Sequence, residues 1–304
     1  MPLPSGELDF IDRIRARAAP GSGVVLGIGD DCAIVRPGGA AEDWLYTTDL
    51  LIEGTHFLRT THTAADAGWK ADARGLSDVA AMGGTPRFCL LSLAIGDGVD
   101  ARWVDGFYRG LLSLAEASGA ALIGGDVARD AHVICDIVVA GTVPRGKALR
   151  RDGARAGDAI YVSGELGGSA LGLATGRGKA WARHKRPQPR LALGRFLREK
   201  LHATSAMDLS DGLSLDLRRL CLASHLQAEI AAPPLFPGAT LEQALHGGED
   251  YELLFTLSAR TRAPQDFEGL PLTRIGTMRK GSPGAVLLDG APLPALGYDH
   301  LRRL

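Results

Sequence analysis

Hydrophobic and polar positions along this chain change period many times, alternating between helical and strand spacing. From Glu7 to Arg17 the apolar residues Leu8, Ile11 and Ile14 form a short helical stripe, closed by Pro20-Gly21. A strand is predicted over Val24 to Ile28 and another opening at Trp44, with Gly54 breaking the latter's apolar run. Thr63-Ala64-Ala65-Asp66 reads as a capping box opening a helix that reaches Met82. On that helix Trp69, Ala73, Leu76 and Ala80 share one face, and Lys70, Arg74, Ser77 and Asp78 share another. Arg74 and Asp78, four residues apart, read as a surface ion pair, and the small residues after them predict close packing near Ser77-Asp78. A buried strand (Phe88 to Ile95), an amphipathic helix (Val99 to Ser118) and strands over Ala120 to Ile123 and His132 to Val143 follow.

The stretch from Pro144 to Gly157 is basic and glycine-containing, and it precedes a new strand, Asp158 to Ser163. A helix follows Gly168, and residues 183–190 form a basic loop broken by prolines. A strand closing at Met207 leads to a helix with the stripe Leu213, Leu217, Leu220, for which Ser210 is the expected N-cap. After a proline-rich loop (Ala231 to Gly238), strands are predicted at Leu253 to Leu257, Leu272 to Gly276 and Ala285 to Leu288. This twofold alternation implies an α/β (α+β) protein of two mixed domains, 1–148 and 149–304.

Composition narrows the class. Apolar residues make up 45% and charged residues 23%, and 34 Lys+Arg against 35 Asp+Glu leave a net charge of -1. No nucleic-acid partner is expected from that balance, and no apolar run approaches the ~18–20 residues of a membrane helix. The N-terminal segment lacks the layout of a signal peptide, and the four cysteines, at 32, 89, 135 and 221, form no Cys-x-x-Cys pair. A reducing cytoplasm is the expected location. Glycine, at 40 residues, is about twice its ordinary usage.

Candidate chemistry lies where carboxylates adjoin glycine or small residues: Asp30/Asp31, Asp49, Asp78, Asp126, Asp208/Asp211 and Glu249/Asp250. Asp30-Asp31 alone is compatible with an exposed turn, and Asp49 with the close of a strand. Six such places together point to cations, because gathered acids repel one another unless neutralised. Magnesium takes only one or two protein carboxylates and completes its shell with phosphate and water, so several ions on a polyphosphate suit the set. The dinucleotide, P-loop, protein-kinase and hydrolase motifs are absent: Cys32 replaces the third glycine after Gly27-Ile28-Gly29, and Ala180 follows Gly178-Lys179.

Gly27-Ile28-Gly29-Asp30-Asp31, Thr47-Thr48-Asp49, Glu53-Gly54-Thr55-His56-Phe57, Leu76-Ser77-Asp78, Gly124-Gly125-Asp126, Asp208-Leu209-Ser210-Asp211-Gly212 and Gly248-Glu249-Asp250-Tyr251-Glu252 resemble, in order, the thiamine-monophosphate kinase family. That family sits in the aminoimidazole-ribonucleotide-synthetase-like superfamily, whose fold the resemblance implies. It implies ATP-dependent phosphorylation of thiamine monophosphate to thiamine diphosphate in a homodimer, with ATP as co-substrate. By resemblance Asp31, Thr47, Thr48, Asp49, Asp78, Asp126, Asp208 and Asp211 surround several Mg2+ ions, with Asp49, Asp78, Asp126 and Asp211 central to catalysis. Asp30 is carried over less firmly. Tyr108, Gly125, Arg151 and Ser210 would touch ATP, and His56, Glu249 and Tyr298 the thiamine substrate. Val127-Ala128 stand where the family shows Thr-Thr, and Arg74-Gly75 depart from its helix pattern, so Arg74 is assigned to the surface. Alternatives are another ATP-dependent enzyme of the superfamily or a non-catalytic nucleotide- and metal-binding regulator. Selenophosphate-synthetase-like relatives use a reactive N-terminal cysteine, which residues 1–22 lack, and hydrogenase-maturation relatives end in one, where this sequence ends Leu-Arg-Arg-Leu.

Overall fold

The computed structural model describes residues 6–18 and 21–301. Pro20, expected to close the first helix, and residues 302–304 of the chain's end lie outside them. That helix, α1, spans Glu7–Arg15. Six strands then build one sheet: β1 (Val24–Leu26), β2 (Ala33–Val35), β3 (Glu42–Ile52), β4 (Thr85–Ile95), β5 (Ala121–Arg129) and β6 (Ile134–Pro144). Their order is β1-β2-β3-β6-β4-β5, antiparallel except for the β4–β5 pair. Between β4 and β5 runs α3 (Ala101–Ser118), the crossover a parallel pair requires.

The predicted capping box holds. Asp66 N donates to Thr63 Oγ1 and Thr63 N to Asp66 Oδ2, each at 3.1 Å, and α2 runs Ala64–Ala81. Both α2 and α3 cover one face of this sheet, where Leu45, Leu51, Leu91, Ile137 and Val139 meet Leu76, Val79, Phe107 and Leu111 in a buried core. The opposite face is bare. Tyr46, Leu50, Phe88 and Leu90 are exposed there, so β4 alternates in burial and is not the wholly buried strand its apolar run suggested.

The second half builds another sheet from β7 (Ala159–Ser163), β8 (Ser205–Asp208), β9 (Gln227–Ile230), β10 (Leu253–Leu257), β11 (Asp266–Phe267), β12 (Leu270–Arg279), β13 (Val286–Leu288) and β14 (Ala291–Pro292). The order is β14-β13-β9-β12-β7-β10-β8, with β11 on β12. Its helices are α4 (Gly168–Thr175), α5 (Gly178–Lys185), α6 (Leu191–Phe196), α7 (Leu213–Ala223) and α8 (Leu241–His246). Thus α5 takes in residues expected to be loop. The basic residues at its end and beyond are held by acids: Lys185 and Arg186 bind Asp66, and Arg183 and Arg190 bind Glu252.

The halves meet along α2. A Cβ at Gly194 of α6 would lie 1.9 Å from Ala80 O, so only glycine allows α6 to lie this close to the end of α2. The close packing predicted near Ser77-Asp78 is therefore present.

Candidate functional site

Strand alternation decides which polar residues of β3 can meet α2. Asp43, Leu45, Thr47, Asp49 and Leu51 face the helices, and Thr48 points to the bare face. The expectation that these residues end a strand is corrected. They lie within it, because eleven residues of β3 pair continuously with β6. From inside the strand Thr47 Oγ1 donates to Asp78 Oδ2 of α2 at 2.5 Å. Ser77, the residue before Asp78, donates from its Oγ to Asp208 Oδ2, at the end of β8, at 2.6 Å.

Asp31, Asp78 and Asp208 bring one ligand atom each to within 4.8 Å of one another. Burial, followed by the charges of Asp208 and Asp31, pushes the Asp78 carboxyl well above its usual range. Asp208 is pushed up likewise, by burial and by Asp31. Such a cluster is the electrostatic complement of a divalent cation, which removes the repulsion and favours the ionised acids. Arg151 partly neutralises it, its Nη2 donating to Asp31 Oδ1 at 2.5 Å. Asp30 plays a different part: its carboxylate accepts Asp31 N at 2.9 Å and Arg151 N at 3.1 Å, shaping the turn.

A cavity of about 740 Å³ is lined by Asp49, His56, Arg74, Ser210, Asp211, Glu249 and Tyr298 among others, and by none of the trio. Arg74 is not on the surface. Only 8% exposed, it reaches Asp49 Oδ1 with Nη2 at 2.5 Å, and its Nη1 lies 3.6 Å from Glu249 Oε1. The i,i+4 reading failed because Asp78 already serves Thr47 and Arg74 turns toward β3. Lys70, fully buried, donates to Glu249 Oε2 at 2.9 Å and to His56 O at 3.0 Å. Burial alone would raise the Glu249 carboxyl, but Lys70, His184 and Arg74 outweigh it and hold it at about 2. Glu249 and Tyr251 both adopt left-handed backbone, with φ of 64° and 51°, strain of the kind that concentrates at functional turns. Asp250 anchors that turn by accepting Gly167 N at 2.6 Å and Ser169 N at 3.0 Å.

His56 is buried, with Nδ1 facing Ile52 N at 3.0 Å and Nε2 lacking a hydrogen-bond partner. Burial and then Arg74 lower its pKa to about 3, so it is neutral. Tyr298 is half exposed and stands edge-on to His300 at 4.7 Å. Asp211 is paired with Arg219 of α7. Ser210 is not a cap: α7 starts after Gly212, and Asp216 instead accepts Asp211 N and Gly212 N at 3.0 Å each.

Thr48 and Asp126 stand apart from the trio. Thr48 donates to Asp136 Oδ1 at 2.5 Å on the bare face, and Asp126, exposed on β5, accepts Val127 N at 2.9 Å. Gly124-Gly125-Asp126 runs inside β5 and does not end it, because β4 pairs with the whole segment. A Cβ at Gly125 would sit 1.8 Å from Leu91 O, which already requires glycine there. Tyr108 of α3 is half-buried against Phe107. Sequence reasoning missed Lys70, His184 and Arg219. Lys70 shared a face with Ser77 in the helical pattern, which was its available signal; nothing marked the other two.

Residues 29–143 match the family model for the AIR synthase related protein, N-terminal domain. Thiamine-monophosphate kinase of Escherichia coli (strain K12) is 39% identical over 96% of this chain and 95% of its own length. That of Bacillus subtilis (strain 168) is 33% identical over 97% and 99%. The chain belongs to the thiamine-monophosphate kinase family. A solved structure of AaThiL complexed with AMPPCP and TMP superposes with a TM-score of 0.85 at 32% identity, covering 97% of each chain. Hydrogenase maturation protein HypE in complex with ATP shares the fold, with a TM-score of 0.67 at 17% identity and 90% coverage of both chains.

Proposed function

We infer that this chain transfers the γ-phosphoryl group of ATP to thiamine monophosphate, giving thiamine diphosphate. The observation that carries this reading is the trio Asp31, Asp78 and Asp208, in one chain with a cavity large enough for the acceptor whose wall includes Ser210 and Asp211, next in sequence after Asp208 and Leu209. Full-length kinship to thiamine-monophosphate kinases supports it.

The donor set fits Mg2+: hard carboxylate oxygens, two of them from acids whose charge is otherwise disfavoured. Asp31, Asp78 and Asp208 would hold the ions, joined by Thr47 beside Asp78 and by Asp49 and Asp211 of the cavity wall. When bound, such ions shield the repulsion between the two phosphate-bearing substrates and stabilise the in-line transition state. The acceptor is a phosphate monoester with a second pKa of ~6, already ionised at neutral pH, so the chain needs no general base and none is assigned. Arg151, Gly125, Ser210 and Tyr108 are the proposed nucleotide contacts. Neutral His56 offers its unpartnered Nε2 to the substrate, Glu249 faces the cationic thiazolium, and Tyr298 supplies an aromatic face.

We read residues 1–148 and 149–304 as two domains, since each half carries its own sheet. The bare face of the first sheet, with Trp44 stacked between Tyr46 and Phe88, is the surface we propose for a homodimer. Thr48 and Asp126 lie on that face, so any service to the ions depends on it. Four buried free cysteines favour a cytoplasmic location, and no helix among the described residues is long and apolar enough to cross a membrane.

The test is incubation of purified protein with ATP, Mg2+ and thiamine monophosphate, following thiamine diphosphate and ADP by chromatography. Diphosphate formation supports the reading. Phosphorylation of free thiamine alone, or ATP binding without turnover, rejects it.

A further inference from the structure

We propose that Arg74 is a clamp for the acceptor's phosphate: it pairs with Asp49 in this structure and turns to the phosphate monoester when a divalent cation takes that carboxylate. This deepens the function proposed above and rests on Asp49 being a cation ligand.

The unused donors of Arg74 point to a ligand. A guanidinium has five N–H groups in a planar fork. Arg74 makes one side-chain hydrogen bond, Nη2 to Asp49, while Nη1 lies 3.6 Å from Glu249 and Nε is buried without a partner. Buried donors are nearly always satisfied, so a side chain more than nine-tenths buried with this much idle capacity, on the wall of a cavity, suits an absent acceptor. Arg190 shows the structural contrast: it spends Nε and Nη2 on the two oxygens of Glu252, at 2.9 and 2.5 Å.

Charge balance indicates what that acceptor is. Glu249 is compensated first by Lys70, 2.9 Å away, with Arg74 a lesser partner at 3.6 Å. The charge of Arg74 is balanced mainly by Asp49, 2.5 Å away. A divalent cation on Asp49 takes over that carboxylate and leaves the guanidinium surplus. A phosphate monoester, carrying nearly two negative charges at neutral pH, restores balance across the cation and Arg74 together. Planar bidentate recognition of phosphate is the chemistry a guanidinium performs best. Cation and acceptor therefore bind cooperatively through Arg74, and the coupling is reciprocal. The same argument assigns Arg74 selectivity for the phosphorylated vitamin over free thiamine.

The experiment compares full-length wild type with Arg74→Gln and Arg74→Lys in two calorimetric titrations: thiamine monophosphate in the presence of Mg2+, and Mn2+ alone. Loss of charge-assisted hydrogen bonds should weaken binding of the monophosphate by Arg74→Gln by about tenfold or more. Its Mn2+ affinity should stay equal or tighten, because the guanidinium no longer competes for Asp49. Arg74→Lys should recover part of the lost affinity. Unchanged monophosphate affinity in Arg74→Gln overturns the proposal. So does parallel loss of Mn2+ and monophosphate in both variants, the mark of a merely structural ion pair. If wild type fails to phosphorylate thiamine monophosphate, the functional reading falls. If wild type turns it over while Arg74→Gln binds it normally, only the clamp falls.

Discussion

Ser77 Oγ donates to Asp208 Oδ2 at 2.6 Å, joining the helix of the first half to a strand end of the second. Burial and Asp31 raise the Asp208 carboxyl, and the Ser77 hydroxyl pulls against that rise. A cation takes the ionised form, so Ser77→Ala should raise the carboxyl further. The acid limb of kcat/KM then moves to higher pH, which a pH profile from 5.5 to 9 measures. An unmoved limb would exclude Asp208 from the titrating set.

Raised carboxyls at Asp78 and Asp208 also predict that cation binding expels protons, since ligation favours the ionised acids. Calorimetric titration of Mg2+ in buffers of different ionisation enthalpy should show net proton release, and affinity should fall as pH drops. Affinity independent of pH would mean the acids are already ionised.

Asp49→Asn should lower turnover by about a hundredfold or more while leaving a folded protein, because it removes the charge that pairs with Arg74 and that the proposed mechanism gives to a cation. Circular dichroism and the coupled ADP assay on the same preparation separate the two effects.

Asp72 offers a stability test away from the chemistry. It is fully buried on α2, and neither carboxylate oxygen has a hydrogen-bond partner. Burial raises its pKa from 3.8 to about 7. The folded chain thus holds this proton more tightly than the unfolded one, and stability falls as pH climbs from about 4 through 7. The full penalty, on the order of 4 kcal/mol above that range, is absent in acid. Asp72→Asn should therefore raise Tm at pH 8 and change it little at pH 4.5.

The bare sheet face predicts association. Leu50 and Leu90, on that face, are 50% and 38% exposed. Replacing both with lysine should shift the protein to a monomer in light scattering coupled to gel filtration, provided the face is covered by a second copy. An unchanged mass would place any dimer elsewhere.

The sequence made the capped helix over Ala64–Ala81 legible, because the box and the apolar stripe are local signals. Strand ends near polar residues misled, since pairing with β6 and β4 carries β3 and β5 straight through Thr47-Thr48-Asp49 and Gly124-Gly125-Asp126. Acid convergence could be anticipated from repeated motifs and family resemblance. Which strand face each residue takes could not, because Thr47 and Thr48 differ only by register. Arg74 was misassigned for the same reason: helical spacing offered Asp78 as partner, and only the tertiary crossing of β3 and α2 offers Asp49.

Anomalous diffraction from crystals grown with Mn2+, a non-hydrolysable ATP analogue and thiamine monophosphate tests the central claim most directly. The account predicts manganese peaks bridged by Asp31, Asp78 and Asp208, with the acceptor's phosphate on the cavity side. Peaks remote from these three carboxylates, or a fully occupied nucleotide with no metal between them, would contradict it.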